Sequence, residues 1–160
     1  MAKPVRIRVD CPFMIIVLGS DHAGFVLKEE IKELLSGLGS EVRDMGTTSS
    51  ASVDYPDYAG KVAREILEGK AEKGILVCGT GVGMCIAANK FGGIRAAVAW
   101  NVEIARLSRQ HNDANILCLP GRFLDDAVAL DIVRAWLEAR FEGGRHQRRV
   151  EKISELEGRG

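Results

Sequence analysis

Four short apolar runs and a fifth, weaker strand signal, each followed by a stretch whose apolar residues recur at helical spacing, predict an α/β domain with a parallel sheet between two layers of helices. Two further observations agree. The run Gly74-Ile75-Leu76-Val77-Cys78 passes straight into the alternating glycines Gly79, Gly81 and Gly83, as a buried parallel strand does at the carboxyl edge where open sheets place ligands. The 160 residues, 46% hydrophobic, are enough to bury the core of one such domain.

Met14-Ile15-Ile16-Val17-Leu18-Gly19-Ser20 is the first strand, and Val26, Leu27, Ile31, Leu34, Leu35 and Leu38 mark the helix after it. Glu41 to Met45 is a weaker second strand, ahead of a helix that Pro56 starts and that runs through Leu67. Gly74 to Cys78 precedes a helix over Val82 to Asn89, and Ala96 to Ala99 precedes one from Val102 to about Gln110. Asn115 to Leu119 precedes a helix from Asp125 to about Ala139, with Asp125 or Asp126 as its cap. After Phe141 a basic segment, 142–149, leads into a short charged helix from Val150 to Leu156, whose sparse apolar surface is expected to lean on a partner subunit. With right-handed crossovers this is a single three-layer, Rossmann-like domain over 14–157, with a five-stranded parallel sheet and a C-terminal helical tail. Residues 1–13 lack the apolar core of a secretory signal and are read as an extension, disordered or non-native.

Twenty-two basic residues balance 22 acidic ones, so no global field draws nucleic acid or an anionic membrane, and any anion site must be local. Even the longest apolar stretches, such as Phe13 to Leu18, fall far short of the roughly 20 residues that span a bilayer. Cys11, Cys78, Cys85 and Cys118 are scattered without C-x-x-C spacing, which points to a reducing, cytoplasmic setting.

The carboxyl edge should collect Asp21-His22, the loop 46–55, Cys78 to Gly83, Trp100-Asn101 and Pro120-Gly121-Arg122. Glycines there let backbone N–H groups approach a small anion; equally, they allow a tight turn beside an inert cysteine. Asp21 and His22 begin at this edge, although Asp21 could merely cap the next helix. His111, with Asn112 and Asp113, is expected at a helix end that faces the same glycine loop, where a histidine could also simply pack. Arg145 and Arg149, four apart, put two guanidinium groups on one side of a helical turn and suit a phosphate, or else form a solvated face. The glycine spacing lacks the G-x-G-x-x-G of a dinucleotide fold, and Gly83 is followed by Met84 instead of the lysine of a phosphate-binding Walker loop. Cys78 and Cys85 have no histidine at zinc-ligand spacing.

Gly19-Ser20-Asp21-His22-Ala23-Gly24, Asp54-Tyr55-Pro56, Cys78-Gly79-Thr80-Gly81-Val82-Gly83 with Ala87-Ala88-Asn89-Lys90, Arg109-Gln110-His111-Asn112 and Gly143-Gly144-Arg145-His146 resemble, in order, ribose-5-phosphate isomerase type B. The likeness runs from about Met14 to Glu157. It implies an aldose–ketose isomerase of the pentose phosphate pathway that interconverts ribose 5-phosphate and ribulose 5-phosphate with no metal or organic cofactor. By residue matching, Cys78 is the base that moves a proton between C1 and C2 through an enediol or enediolate. The amides from Gly79 through Gly81 and Val82 to Gly83 hold the negative oxygen, and Thr80 assists proton transfer between the two oxygens. His111 opens the furanose ring, Asn112 and Asp21 grip sugar hydroxyls, and Tyr55 lines the pocket. His22, Arg122, Arg145 and Arg149 correspond to phosphate contacts, some from the second subunit of a homodimer with shared sites. Whether dimers pair into tetramers stays open.

A sister group carries glutamate where Met84 stands and lacks the cysteine, so this chain goes with the thiol-based type. The first 13 residues have no counterpart. The nearest alternative is an allose 6-phosphate or galactose 6-phosphate isomerase; galactose enzymes of this kind divide the catalytic set between two chains, whereas Cys78 and His111 occur together here. A non-catalytic sugar-phosphate-binding protein is the alternative from another class, and it would need neither group.

Overall fold

A computed structural model describes residues 13–158. The extension expected over 1–13 lies outside the described residues apart from Phe13, and so does Cys11. Strands β1 (Ile15–Ser20), β2 (Glu41–Asp44), β3 (Lys73–Cys78), β4 (Ala96–Val98) and β5 (Ile116–Pro120) alternate with helices α1 (Phe25–Gly37), α2 (Tyr55–Leu67), α3 (Val82–Ala88), α4 (Val102–Asn112) and α5 (Asp126–Glu138). A last helix, α6 (Arg145–Glu155), follows. All strand pairs are parallel, in the order β2-β1-β3-β5-β4. The chain leaves β1 toward β2 and returns on the other side through β3. The crevice outside the carboxyl ends of β1 and β3 is therefore the topological switch point, the position where such sheets bind ligands.

Strand alternation sorts the core into two layers. Ile16, Leu18, Ile75, Val77, Leu117 and Leu119 face α1, α4 and α5, meeting Ile31, Leu35, Ala105, Ile132 and the fully buried Trp136. Val17, Leu76, Cys78, Ile116 and Cys118 face α2 and α3, meeting Val62, Ala63, Met84 and Ala88. Cys78 thus belongs to the α2–α3 side of the sheet. On the free edge of β4, the Asn89 side chain accepts from the Ala96 N–H at 2.8 Å and donates to its carbonyl at 2.9 Å, which occupies an edge otherwise open to pairing.

Three boundaries differ from the sequence reading. α4 continues past Gln110 to Asn112 and stops at Asp113, which takes a left-handed φ of 49° while its carboxylate pairs with Arg109 at 2.9 Å and Arg95 at 3.3 Å. Asp125 occupies the cap position of α5, but no side-chain capping bond forms, so the expected cap by Asp125 or Asp126 is absent. α6 begins at Arg145 instead of Val150, because Gly143 (φ 66°) and Gly144 (φ 56°) turn the chain and allow a helix at once. Its buried stripe starts with His146 and continues with Val150. A histidine does not register as apolar in a periodicity count, so that stripe is invisible in the sequence. α6 therefore packs first on α4 of its own chain, through these residues, and leaves Ile153 and Leu156 exposed.

Candidate active site

At the carboxyl edge, β3 ends in Cys78 and the chain rises into the glycine loop. The Gly81 N–H donates to Cys78 Sγ at 3.2 Å, a bond that is stronger to a thiolate than to a thiol. Gly81 holds φ 74°, and a Cβ there would lie 3.0 Å from the Leu119 carbonyl carbon, so both conformation and space require glycine. The carbonyls of Cys78 and Gly79 accept from the N–H groups of Gly121 and Arg122 at 2.9 and 3.0 Å, which pins the loop to the turn after β5. Val82 N–H donates to Thr80 Oγ1 at 3.2 Å, and Thr80 is exposed. Two more glycines work by lacking a side chain: a Cβ on Gly79 would meet the Arg122 side chain at 3.2 Å, and one on Gly83 would meet the Tyr55 ring at 2.8 Å. Arg122 and Tyr55 thereby close over the loop from two sides. The sulfur lies at the floor of this arrangement, Cys78 being only 4% exposed.

The end of β1 supplies Asp21 and His22. Asp21 Oδ1 accepts from the N–H groups of Ala23 and Gly24 at 2.9 and 3.1 Å, so the turn-capping use is present; Oδ2 takes no hydrogen bond from the described residues. His22 Nδ1 accepts from Val53 N–H at 3.2 Å, so the neutral ring carries its proton on Nε2, ready to donate to an anion. Behind them, Ser20 and the loop exchange bonds, Ser20 N–H to Gly46 O at 2.6 Å and Thr47 N–H to Ser20 O at 2.9 Å. Asp44 secures that loop by accepting from Gly46 N–H and from the ammonium groups of Lys28 (2.6 Å) and Lys32 (2.9 Å). Burial pushes the Asp44 carboxyl up, but these donors outweigh it and hold the group below its ordinary value.

The second set of predicted residues does not face the glycine loop of its own chain. α4 runs antiparallel to the strands, so His111 and Asn112, in its last turn, lie at the amino edge of the sheet, where Asn115 O accepts from Gly74 N–H at the start of β3. Cys78 is at the other end of that strand, beside Pro120, about 13 Å away at the usual rise per residue. Arg145 and Arg149 are exposed on α6, which packs on α4, and so belong to the amino edge as well. One chain therefore carries two groups on opposite edges: Asp21, His22, Tyr55, Cys78, Thr80, Arg122 and the glycines on one, His111, Asn112, Arg145 and Arg149 on the other. A single subunit does not bring them together. The expectation failed because a helix end and a strand end look alike in one dimension, while an antiparallel crossover helix finishes on the far side of the sheet.

The amino edge holds two features that spacing did not reveal. His111 stacks on His146, with ring centroids 4.2 Å apart and planes within 8°. Ligand atoms of His111, Glu142 and His146 come within 4.8 Å of one another, a set that could be read as a metal site. Parallel imidazole rings aim their lone pairs along parallel planes, however, so a single ion cannot lie in both, and the stack as it stands does not fit one. A cleft of about 630 Å³, lined in part by Phe91, Ile94, Asn112, Ile153 and Leu156, also opens on this edge, away from Cys78. On the α2–α3 side of the sheet, a hydrogen bond from the Cys118 thiol brings Cys85 down to about 7 although burial opposes it, while burial pushes Cys118 well up. Cys78, Cys85 and Cys118 are all free thiols. Among the described residues no helix is long and apolar enough to cross a membrane.

The parallel sheet and the thiol–glycine loop at its switch point define an α/β fold with a small-ligand site at the carboxyl edge. Residues 16–153 match the family described as Ribose/Galactose Isomerase, and the chain belongs to that family. It is 54% identical over 144 residues to ribose-5-phosphate isomerase B of Escherichia coli K12, covering 90% of this chain and 97% of that one. Among solved structures it resembles Clostridium thermocellum ribose-5-phosphate isomerase B, with a TM-score of 0.90 and 54% identity over 91% of this chain and 99% of the other. The Mycoplasma genitalium ribose-5-phosphate isomerase B with bound ribulose-5-phosphate is 45% identical, with a TM-score of 0.88, over 91% of this chain and 97% of the other.

Proposed function

We propose that this protein is an aldose–ketose isomerase that interconverts D-ribose 5-phosphate and D-ribulose 5-phosphate, acting in the cytoplasm within the pentose phosphate pathway. The observation that carries the reading is the Gly81 amide on the Cys78 sulfur at the sheet's switch point, in a chain 54% identical to an enzyme of that name. His111 opens the furanose by giving a proton to the ring oxygen as the C1 hydroxyl loses its own. Cys78 then takes the C2 proton of the aldehyde. Loop amides stabilise the enediolate oxygen, Thr80 passes a proton between O1 and O2, and the thiol returns its proton to C1 to leave the ketose. His22 and Arg122 supply positive or donor groups for the phosphate from one side, Arg145 and Arg149 from the other.

The two residue groups work together when a second copy places its amino-edge group over the first copy's glycine loop. The active unit is accordingly a homodimer with shared sites. Replacing Cys78 tests the chemistry: Cys78→Ala should abolish isomerisation, by about 10³-fold or more, while calorimetric binding of ribulose 5-phosphate stays within a few-fold. Undiminished turnover would remove the thiol from the mechanism.

A further inference from the structure

His146, stacked on the ring-opening His111, has no part in the reaction just described. His111 sits half-buried in the last turn of α4, where its ring would otherwise turn about two side-chain bonds. We propose that His146 is a positioning residue that fixes the plane of the His111 imidazole by covering one of its faces. This rests on the assignment of His111 to ring opening.

The support is local. His146 is 7% exposed, and the 4.2 Å, nearly parallel stack closes that face of His111 to water while its edge nitrogens stay available. His146 is itself held: its N–H donates to Gly143 O at 3.0 Å, and Glu142 N–H donates to Gln110 O at 3.1 Å, which ties the turn before α6 to the residue next to His111. Glu142 Oε2 stands 3.6 Å from His146 Nε2. Burial, then His111, Arg145 and Arg149, lower the His146 pKa, and Glu142 opposes them only in part. The ring is therefore neutral near pH 7 and adds no like charge to its neighbour. Arg145 and Arg149 flank it on the same helix.

A ring-opening residue is needed only by a substrate that closes. The overall equilibrium ties the forward and reverse kcat/KM together, so the discriminating substrate is the 4-deoxy analogue of ribose 5-phosphate, which lacks the hydroxyl that forms the ring. His146→Ala should lower kcat on ribose 5-phosphate about tenfold or more and leave kcat on the 4-deoxy analogue within about twofold. His146→Phe, which keeps a flat ring, should restore ribose 5-phosphate turnover to within about threefold, and His146→Leu, which fills the volume without a flat face, should not. Equal losses on both substrates, or Leu rescuing as well as Phe, would overturn the inference. His111→Ala in the same assay separates the two readings. If it is ring-selective and His146→Ala is not, the positioning role alone falls; if it is not ring-selective, both readings fall.

Discussion

Mixing two dead enzymes should produce a live one. Cys78→Ala and His111→Ala each remove one member of a pair that the fold sets on opposite edges of the sheet. The β3 register separates those edges by about 13 Å between Gly74 and Cys78, and α4 carries His111 back along the same length. Reacting groups must come within about 3–3.5 Å of the sugar atoms they serve, and those atoms are close neighbours on one carbon chain. Same-chain cooperation is therefore geometrically closed, and cross-chain cooperation is the remaining route. In a heterodimer of the two variants, one site combines an intact Cys78 with an intact His111, and the other lacks both. Random pairing makes half the dimers mixed, each with one of two sites complete, so turnover should return to about a quarter of wild type. The assay is ribulose 5-phosphate formation after the differently tagged variants are unfolded and refolded together, with tandem affinity capture to confirm mixed dimers. Verified heterodimers with no more activity than the two parents would place the whole site in one chain and refute the argument.

Thiol reagents should reach Cys85 before the proposed base. Of the three cysteines among the described residues, Cys85 is half-buried with its pKa near 7, whereas Cys78 is almost covered and Cys118 fully so; of these three, iodoacetamide should mark Cys85 first, at a rate that rises through pH 7 and levels above about pH 8, as peptide mass spectrometry would show. Gly81→Ala should cost about 1–2 kcal/mol in denaturant melts from its left-handed backbone alone, and should also depress turnover by moving the N–H off the sulfur; unchanged kcat would show that bond to be idle. Asp44→Asn should destabilise the fold by roughly 3 kcal/mol at neutral pH, because Lys28, 1% exposed, loses its shorter carboxylate partner. The folded Asp44 pKa lies below its unfolded value, so its contribution is fully present above the unfolded value near 4 and vanishes as pH falls through the folded one; wild type and variant should converge in stability in strong acid.

Much of this molecule is legible in one dimension. The alternations at β1, β3 and β5 are visible because a strand buried on both faces reads as a continuous apolar run, while its partner helix shows a one-sided stripe, as Ile31 and Leu35 do for α1. The glycine loop was legible for a related reason: Gly81 answers a local backbone demand that only glycine meets without strain. What failed to show were relations settled by packing. The α6 stripe hides because its first member is His146, buried by stacking on a residue 35 positions earlier.

Residue order thus determined the layers, the thiol in its glycine setting and the family, since each depends on neighbours a few positions apart. Tertiary structure alone decided which edge each group occupies. Cys78 and His111 look like two members of one site until the sheet's register and the antiparallel course of α4 put the thickness of the domain between them. Direction along a crossover helix is a property of the folded sheet, and no local spacing encodes it.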